Sequence, residues 1–512
     1  MTGNAANWFV DRHIVEGRSE KLAFREAFGD KREITYGELS EQTGKFASAL
    51  TQSGLQHDQC VAMFVLDQIE FPVIFWGAIK AGIAPIALNT LLSTDVYRTI
   101  LKDCGASVVF ISVEMLDTVL PAAKDASSVK RIVVIGGDAP QGTESWADFT
   151  ATSAQMQSVD RADKDIAFWL YSSGSTGEPK GVRHRHEALK YTCDTYANQV
   201  LRIEENDLVF SAAKLFFAYG LGNGMSFPMC VGATSLLYNA RPTPDSVTAI
   251  LSEYKPTIYY GVPTLYAALL QHWQSSDCVP NAPLRVCVSA GEALPAEIGR
   301  NWKQLMNVDI IDGVGSTEML HIFLSNRPED VEYGTSGIPV PGYDVRLVNE
   351  FDEDVAVNEI GELLVCGNSA ASDYWNKPEK SAQTFQGEWT RTGDKYEKTA
   401  SGRYVYCGRT DDMFKVSGIW VSPFEVEQSL VEHPSVLEAA VVSHRDDEGL
   451  EKPKAFVVLN DTNAGVADAG VLKDFVKDKI GKWKYPRWIE VVDDLPKTAT
   501  GKIQRFKLRH DK

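Results

Sequence analysis

The sequence lacks the cysteine patterns of a metal-binding or disulfide-stabilised protein. Its eight cysteines include no C-x-x-C pair, and no cysteine–histidine cluster has zinc-ligand spacing. Cysteines scattered in this way are expected to be small buried residues in a reducing compartment. The first eleven residues also lack a basic segment followed by an apolar run, so no secretory signal is expected. We therefore predict a cytoplasmic protein.

Long apolar runs and an excess of positive charge are also missing. The most apolar stretch, residues 71–92, is interrupted by Lys80, Gly82 and Pro85, and is not typical of a membrane span. The chain has 51 Lys and Arg residues and 69 Asp and Glu residues, which gives a formal net charge of −18. Because nucleic-acid phosphates are bound by clustered Lys and Arg, this balance argues against non-specific nucleic-acid binding.

Short apolar strands alternate with helix-like segments through most of the chain. Residues 61–66 predict a buried strand, 70–81 a helix and 84–88 a second strand, which is the arrangement typical of a largely parallel sheet. Further strands are predicted at residues 108–111, 132–135, 167–171, 257–260, 285–288 and 309–311. The sequence therefore predicts an α/β fold in a chain that is long enough for two or more domains.

The pattern changes after Gly361. Residues 362–365 and 403–407 predict antiparallel ribbons. Beyond Arg409 the sequence predicts a helix at 424–432, strands at 437–442 and 454–459, and a helix at 471–480. We therefore predict a domain over residues 1–408 and a compact α+β domain over residues 409–512.

A loop rich in Ser, Thr and Gly follows the strand predicted at residues 167–171. It reads Tyr171-Ser-Ser-Gly-Ser-Thr-Gly-Glu-Pro-Lys180-Gly181. Glycines let backbone N–H groups approach phosphate oxygens, hydroxyls donate hydrogen bonds, and lysine supplies a point charge. The spacing is not that of a Walker A loop, and Gly220–Gly224 lacks the G-x-G-x-x-G spacing of a dinucleotide site. By itself such a loop also fits a flexible surface turn.

The loop matches the signature of the adenylate-forming superfamily of acyl-CoA synthetases, luciferases and peptide-synthetase adenylation domains, and five further motifs resemble that superfamily in the expected order. They are Ser289-Ala-Gly-Glu-Ala293, Gly315-Ser-Thr-Glu318, Thr390-Arg-Thr-Gly-Asp394, Gly408-Arg-Thr-Asp-Asp412 and Pro496-Lys-Thr-Ala-Thr-Gly-Lys502. The six motifs span about two-thirds of the chain. The resemblance implies a large N-terminal domain of parallel-type sheets with helices and a small barrel-like β subdomain, followed by a mobile C-terminal domain.

The resemblance also implies site residues. Lys502, Lys180, Thr317 and Glu318 would be catalytic, with Glu318 holding Mg²⁺ and Thr317 contacting a phosphate. The residues implied to bind ATP or AMP are Ser172, Ser173, Gly174, Ser175, Thr176, Gly177, Lys180, Gly291, Glu292, Ala293, Asp312, Gly313, Val314, Gly315, Ser316, Thr317, Asp394 and Arg409. The last two would reach the ribose hydroxyls.

The implied reaction joins a carboxylate to AMP, releases pyrophosphate and transfers the acyl group to coenzyme A. No G-x-S-x-G segment is present, which agrees with a substrate carboxylate that is itself the nucleophile. Rotation of the C-terminal domain about a hinge would separate the two steps, with Asp411 as pivot. Lys415, Gly418 and Trp420 would lie at the hinge or near coenzyme A. A homodimer is expected only by analogy.

Val314 occupies a position where many relatives carry an aromatic residue that stacks on adenine. The segments 215–224 and 312–322 resemble benzoate–CoA ligases in particular. The acyl pocket implied by this resemblance contains Ala218, Tyr219, Gly220, Ser289, Ala290, Gly291, Val314, His321 and Ile322. Benzoate, hydroxybenzoates, aminobenzoates and a small aliphatic acid remain open as substrates. The alternatives are an enzyme that loads a carrier-protein thiol, a luciferase-like enzyme, and a nucleotide-binding regulator without catalysis.

Overall fold

The computed structural model describes most of the chain as two compact units. The described residues are 3–151, 154–173, 178–276, 278–416, 419–446, 448–460, 468–481, 483–497 and 503–509. One unit comprises Met1–Asp344 with Val365–Arg391, and the other comprises Val345–Leu364 with Thr392–Lys512. The domain boundary predicted between residues 408 and 409 stays a prediction.

Two large sheets organise the first unit. Their strands are β1 Leu22–Glu26, β2 Glu33–Thr35, β3 Cys60–Phe64, β4 Ala84–Ala87, β5 Val108–Ser112, β6 Arg131–Ile135, β7 Glu144–Ser145, β8 Ile166–Ser173, β9 Pro179–Arg185, β10 Leu208–Ser211, β11 Thr234–Leu237, β12 Ile258–Gly261, β13 Val286–Ser289, β14 Ile310–Gly315, β15 Ile322–Ser325, β16 Ile338–Pro339 and, later in the chain, β19 Asp373–Tyr374. One sheet has the order β19-β9-β8-β4-β3-β5-β6-β7, and the other β16-β15-β14-β13-β12-β10-β11-β1-β2. The pairings from β4 through β3 and β5 to β6, and from β11 through β10, β12 and β13 to β14, are parallel, which confirms the predicted α/β fold.

Helices connect these strands. They are α1 Arg12–Val15, α2 Tyr36–Gln52, α3 Glu70–Lys80, α4 Thr94–Cys104, α5 Leu116–Asp125, α6 Trp146–Thr150, α7 His186–Thr192, α8 Ala218–Leu221, α9 Phe227–Val231, α10 Pro244–Tyr254, α11 Pro263–Ser276, α12 Ala296–Met306 and α13 Pro378–Thr384, with π-helical turns at Asn7–Asp11, Cys193–Leu201 and Gly222–Ser226 and a 3-10 turn at Val113–Met115. Thr35 caps the start of helix α2: its hydroxyl accepts the Glu38 N–H while the Glu38 carboxylate accepts the Thr35 N–H, so two backbone donors are satisfied.

Helix α3 explains the most apolar stretch of the sequence. Every residue of this helix is buried, including Lys80, whose ammonium donates to Asp11 Oδ1 over 2.6 Å. The run is therefore a core helix, apolar on all sides because it is covered on all sides. Among the described helices, none is long and apolar enough to cross a membrane.

A five-stranded sheet contains both segments that were predicted as antiparallel ribbons after Gly361. Its strands are β17 Asp344–Val348, β18 Ile360–Cys366, β20 Phe385–Gln386, β21 Trp389–Lys398 and β22 Tyr404–Arg409. The order is β17-β18-β21-β20, and β22 pairs with β21 in antiparallel register.

The C-terminal part is the compact α+β structure that the sequence predicted. Its elements are β23 Phe414–Val416, β24 Ile419–Val421, α14 Pro423–Val431, β25 Val436–Arg445, β26 Glu451–Leu459, α15 Ala469–Ile480, β27 Trp488–Val491 and α16 Arg505–Leu508. Strands β25, β26 and β27 form one sheet, against which Leu430 of α14 and Val476 of α15 pack with Val441 and Val457. This core gives the short C-terminal elements their stability, because neither helix could persist alone in water.

Candidate active site

The predicted phosphate loop joins two antiparallel strands, β8 and β9. Ser172 lies opposite Lys180 and Ser173 opposite Pro179 in this hairpin. Gly174, Ser175, Thr176 and Gly177, at its tip, lie outside the described residues. The Ser172 hydroxyl is buried and finds no hydrogen-bond partner in the described part of the chain. A buried polar group without a partner carries a free-energy cost that a ligand can relieve, so this hydroxyl is suited to an incoming phosphate oxygen.

Lys180 and Glu318 come together although they belong to different motifs. Lys180 Nζ lies 3.6 Å from Glu318 Oε1, and the two side chains are only 12% and 18% exposed. The Tyr374 hydroxyl donates to the same Oε1 over 2.7 Å, and Lys180 Nζ lies 4.3 Å from the centre of the Tyr374 ring. The site therefore combines one cation, one carboxylate and a tyrosine that contacts both.

Glu318 lies in a tight turn between β14 and β15, formed by residues 316–320. The Ser316 hydroxyl accepts the Met319 N–H over 3.1 Å, and the Leu320 N–H donates to the Thr317 carbonyl over 3.2 Å. Gly315, at the start of the turn, has no room for a side chain, because a Cβ there would lie 2.6 Å from the His321 carbonyl oxygen. The turn thus holds Glu318 beside Lys180, and both Thr317 and Glu318 are half-buried.

The Glu318 carboxylate fits a magnesium ion that is coordinated mainly by the phosphate oxygens of a bound nucleotide. No group of three or more His, Cys, Asp or Glu that could hold a metal occurs among the residues that the structure describes. Mg²⁺ usually takes one or two protein carboxylates and completes its octahedron with waters and phosphate oxygens. The single carboxylate of Glu318, next to a predicted phosphate loop, is compatible with that mode of binding.

Several residues predicted to bind the nucleotide or the acyl group lie at the ends of β13 and β14. Ser289 and Asp312 are neighbours across these parallel strands, and both are buried. Burial raises the pKa of Asp312 well above its usual range, against the effect of hydrogen bonds from the N–H groups of Leu294 and Gly313. Asp312 Oδ1 and Ser289 Oγ have no partner within the described residues. Gly291, Glu292 and Ala293 follow β13, and Gly291 has a φ of +96°, which favours glycine.

The predicted acyl-pocket residues form an aromatic and polar cluster around His321. The centre of the His321 ring lies 5.7 Å from that of Tyr219, 5.3 Å from that of Tyr196 and 4.4 Å from that of Phe227. Burial lowers the pKa of His321 to about 3, so the ring is neutral at physiological pH. Ala218, Ala290 and Ile322 are also buried, while Tyr219 and Val314 are partly exposed.

The tautomer of His321 follows from the acceptors around its Nε2. This nitrogen lies 3.3 Å from the Tyr219 carbonyl oxygen and 3.0 Å from Asn223 Oδ1. Because a carbonyl oxygen only accepts, Nε2 carries the proton and Nδ1 of the neutral ring is an acceptor. Nδ1 is buried and has no partner in the described part of the structure.

At two positions in this cluster the packing leaves room only for glycine. A Cβ on Gly220 would lie 2.0 Å from the Lys214 carbonyl oxygen, and a Cβ on Gly222 would lie 2.4 Å from His321 Cδ2. Tyr219, directly before Gly220, donates its hydroxyl proton towards the carbonyl oxygens of Gly261 and Val288, each 3.2 Å away. The cluster is therefore built on close backbone contacts between β12, β13 and the α8 region.

Three of these neighbours were not predicted from the sequence: Asn223, Tyr374 and His184. His184 is fully buried on β9, on the same face of the strand as Lys180, and burial lowers its pKa to about 4. Asn223 lies in the segment 215–224, from which only Ala218, Tyr219 and Gly220 were predicted to line the acyl pocket. No local pattern distinguishes these residues from ordinary core residues, so their position could be found only from the fold.

In the second unit, the predicted ribose-binding residues Asp394 and Arg409 form an ion pair. Arg409 Nη1 lies 2.9 Å from Asp394 Oδ1, and the same guanidinium donates to the Thr392 carbonyl over 3.0 Å. The Asp394 carboxylate raises the pKa of Arg409, against the effect of burial. An Asp–Arg pair of this kind offers a carboxylate acceptor and a fixed donor to a pair of hydroxyl groups.

The hinge and coenzyme A residues are described only in part. Asp411 is exposed, and its carbonyl oxygen accepts from Arg509 Nη2 over 3.2 Å. Lys415 is exposed on β23 and pairs with Trp420 of β24. Gly418 and Lys502 lie outside the described residues, so the positions predicted for them stay predictions.

Comparison with known proteins defines the class. The model of the AMP-binding enzyme family matches residues 11–375, and that of the AMP-binding enzyme C-terminal domain matches residues 425–502. The chain therefore belongs to the AMP-binding enzyme family, which confirms the resemblance drawn from the six motifs.

Individual relatives show which members of the family this chain is similar to. The chain is 52% identical to the 4-hydroxybenzoate–CoA/benzoate–CoA ligase of Rhodopseudomonas palustris, over 99% of the chain and 94% of that protein. It is also 52% identical to the benzoate–CoA ligase of Thauera aromatica, over 99% and 95% respectively. The crystal structure of a benzoate CoA ligase from Burkholderia xenovorans LB400 aligns over 99% of this chain and 100% of that one, with a TM-score of 0.90 and 46% identity. The predicted similarity to benzoate–CoA ligases is confirmed.

Proposed function

We propose that the protein is an ATP- and Mg²⁺-dependent ligase that converts benzoate or a substituted benzoate to its coenzyme A thioester. A carboxylate oxygen attacks the α-phosphorus of ATP, the bond to pyrophosphate breaks, and acyl-AMP forms. The thiol sulfur of coenzyme A then attacks the acyl carbon, the bond to AMP breaks, and the thiol proton passes to solvent. The observation that carries the proposal is the approach of Lys180 to Glu318, together with the buried hydroxyl of Ser172, which lies opposite Lys180 and has no partner among the described residues.

The chemical difficulty of the first step is electrostatic, because an anion must attack a polyanion. Placed cations and donors that meet the charge as it develops usually contribute most to such a reaction. Lys180 and the hydroxyls of Ser172 and Thr317 would bind the β- and γ-phosphates. Lys502 would bridge the carboxylate and the α-phosphate. When bound, Mg²⁺ would add positive charge at the departing pyrophosphate, with Glu318 as its protein ligand.

The aryl group would occupy the cluster around His321. Flat rings and few polar groups suit an aromatic acid, and the relatives named above act on benzoate or 4-hydroxybenzoate by name. Asp394 and Arg409 would bind the ribose. Domain rotation would pivot at Asp411, with residues 1–408 and 409–512 as the two bodies. Lys415, Gly418 and Trp420 would lie near coenzyme A in the second step.

Two further properties belong to the proposal. The eight cysteines are free thiols, which supports a reducing, cytoplasmic location. A homodimer rests on analogy alone, and sedimentation analysis of the purified protein would test it.

The test of the proposed function is pyrophosphate release with ATP, Mg²⁺ and a panel of acids, with and without coenzyme A. The panel contains benzoate, 4-hydroxybenzoate, 2-aminobenzoate and short fatty acids. Release that prefers the aromatic acids, with consumption of coenzyme A, is the expected result. Release without consumption of coenzyme A would indicate a carrier-protein acceptor, and no release with any acid would leave the nucleotide-binding regulator.

A further inference from the structure

A short segment, residues 371–375, connects the two charged residues of the proposed ATP site. Its backbone is fixed to β9 on one side, since the N–H groups of Ser372 and Trp375 donate to the carbonyl oxygens of Arg183 and Gly181, each over 2.8 Å. On the other side, the Ala371 N–H donates to the Glu318 carbonyl oxygen over 2.7 Å. The segment therefore fixes the strand that carries Lys180 relative to the turn that carries Glu318.

A bidentate ion pair strengthens this connection. Arg183 Nε and Nη2 donate to the two carboxylate oxygens of Asp373 over 2.6 and 2.7 Å. Asp373 and Arg183 are also cross-strand partners in the β9–β19 pairing, with Tyr374 opposite Val182. Paired N–H···O bonds of this geometry restrict orientation as well as distance. The side chain of Tyr374 is thereby held at a defined position in the sheet.

The Tyr374 side chain contacts both charged residues. Its hydroxyl donates to Glu318 Oε1 over 2.7 Å, and its ring lies 4.3 Å from Lys180 Nζ. The side chain is 4% exposed and packs with Val182 and Ala371. Few rotamers are open to it, so both contacts are made by a rigid group.

The chemistry of tyrosine suits this position. Lys180 has a long flexible stem, and the face of an aromatic ring attracts its ammonium without forming an ion pair. A neutral hydroxyl orients the Glu318 carboxylate without adding a positive charge that would compete with a metal ion. A lysine or arginine at residue 374 could hold the carboxylate but would repel both Mg²⁺ and Lys180.

We infer that Tyr374 is a positioning residue of the ATP site, orienting Glu318 through its hydroxyl and Lys180 through its ring. The inference rests on the proposed function, because it assigns Glu318 to the metal and Lys180 to the phosphates. It separates two roles of one side chain, so that removal of the hydroxyl and removal of the ring have different consequences.

Binding measurements distinguish these roles without relying on turnover. A non-hydrolysable ATP analogue is titrated calorimetrically into the full-length protein, with and without Mg²⁺, for the wild type, Tyr374→Phe and Tyr374→Leu. We expect Tyr374→Phe to reduce the gain in affinity that Mg²⁺ provides by about tenfold, as for loss of a hydrogen bond to a charged group. Its affinity in the absence of Mg²⁺ should stay within about twofold of wild type, since the ring remains.

Tyr374→Leu should show the same loss and, in addition, weaker binding without Mg²⁺ by about fivefold, because the ring face is gone. In steady-state assays, high Mg²⁺ should rescue Tyr374→Phe by lowering its KM for ATP, with little change in kcat. The matched control is Tyr36→Phe, which removes a buried hydroxyl that donates over 2.7 Å to the Ala233 carbonyl. This control should bind the analogue as the wild type does.

An unchanged Mg²⁺ effect in Tyr374→Phe would overturn the inference, as would an equal loss in Tyr36→Phe. Thermal melting of each variant shows whether it is folded at the temperature of the titration. A variant that is folded and still loses the Mg²⁺ effect has lost positioning, not stability. If the wild type fails to bind the analogue at all, the proposed function fails. If it binds normally and Tyr374→Phe does so too, only the role of Tyr374 fails.

Discussion

Arg409 and Asp394 are direct cross-strand partners on β22 and β21, with Nη1 of the arginine 2.9 Å from Oδ1 of the aspartate. They come from two separate sequence motifs. The antiparallel register places both side chains on one face, and Arg409 is held further by the Thr392 carbonyl oxygen. The pair is therefore assembled within the second unit itself, before any nucleotide binds.

Replacement of Asp394 by asparagine should weaken nucleotide binding more than catalysis. The change removes the charge that holds Arg409 and one strong acceptor for a ribose hydroxyl, so we expect KM for ATP to rise about tenfold with a smaller change in kcat. Steady-state kinetics at varied ATP measure this. A matched control is Asp354→Asn, which breaks the exposed pair with Arg346 (2.7 Å) in the same unit. If both variants behave alike, the effect is not specific to the ribose site.

Lys502→Ala should separate the two half-reactions. The proposed role of this lysine is confined to adenylation, where loss of one stabilising charge commonly costs on the order of 10²–10³ in rate. We expect pyrophosphate release to fall by that factor, while thioester formation from supplied acyl-AMP changes less than about threefold. Lys497→Ala is the control, because Lys497 is paired with Glu438 over 3.0 Å and has no proposed role. An equal loss in both half-reactions would contradict the division of labour.

Asp411→Pro should affect the opposite half-reaction. Proline fixes φ near −65°, so a pivot that must change its backbone angles would be restricted. We expect thioester formation from supplied acyl-AMP to fall at least about tenfold, with adenylation less affected. The control Asp411→Ala keeps the backbone free and should resemble the wild type in both steps. Loss of adenylation alone would rule out a hinge at this residue.

Acidification should destabilise the first unit through buried neutral histidines. Burial lowers the pKa of His13, His184 and His186 to about 4 and that of His321 to about 3, from a usual value of 6.5. Well above pH 6.5 these residues are neutral in both states and do not affect the pH dependence of stability. As the pH falls from 6.5 towards 4, these four histidines bind more protons in the unfolded chain than in the folded one, so they should lower the free energy of unfolding by up to about 5 kcal/mol per pH unit.

Urea unfolding at several pH values between 7.5 and 4.5 checks this. His186→Gln should reduce the slope due to the histidines by roughly a quarter, because one of the four buried histidines is removed. Glutamine can still offer an oxygen to the Ala5 N–H, which now donates to His186 Nδ1 over 3.1 Å. A slope unchanged by His186→Gln would show that this histidine is not protonated on unfolding.

Much of the fold could be predicted because its signals are local. The helix predicted at 70–81 is α3, Glu70–Lys80, and the strand predicted at 257–260 is β12, Ile258–Gly261. In both places a run of apolar residues is bounded by polar residues or glycine, so the sequence period and the element agree. The short strand β15, Ile322–Ser325, was not predicted, because it directly follows the 316–320 turn and its buried run is too short to show a period.

The sequence by itself determined the family, through six motifs whose order and spacing are properties of the chain. It also determined which polar residues could take part in phosphate chemistry, since Lys, Ser, Thr and Glu have few other uses in a glycine-rich loop or turn. Only the tertiary structure decided which of them meet. Tyr374 reaches Glu318 across 56 residues, and Asn223 reaches His321 across 98. Such contacts depend on sheet pairing and loop closure, which no local pattern encodes, because the residues that create them are distant in the chain.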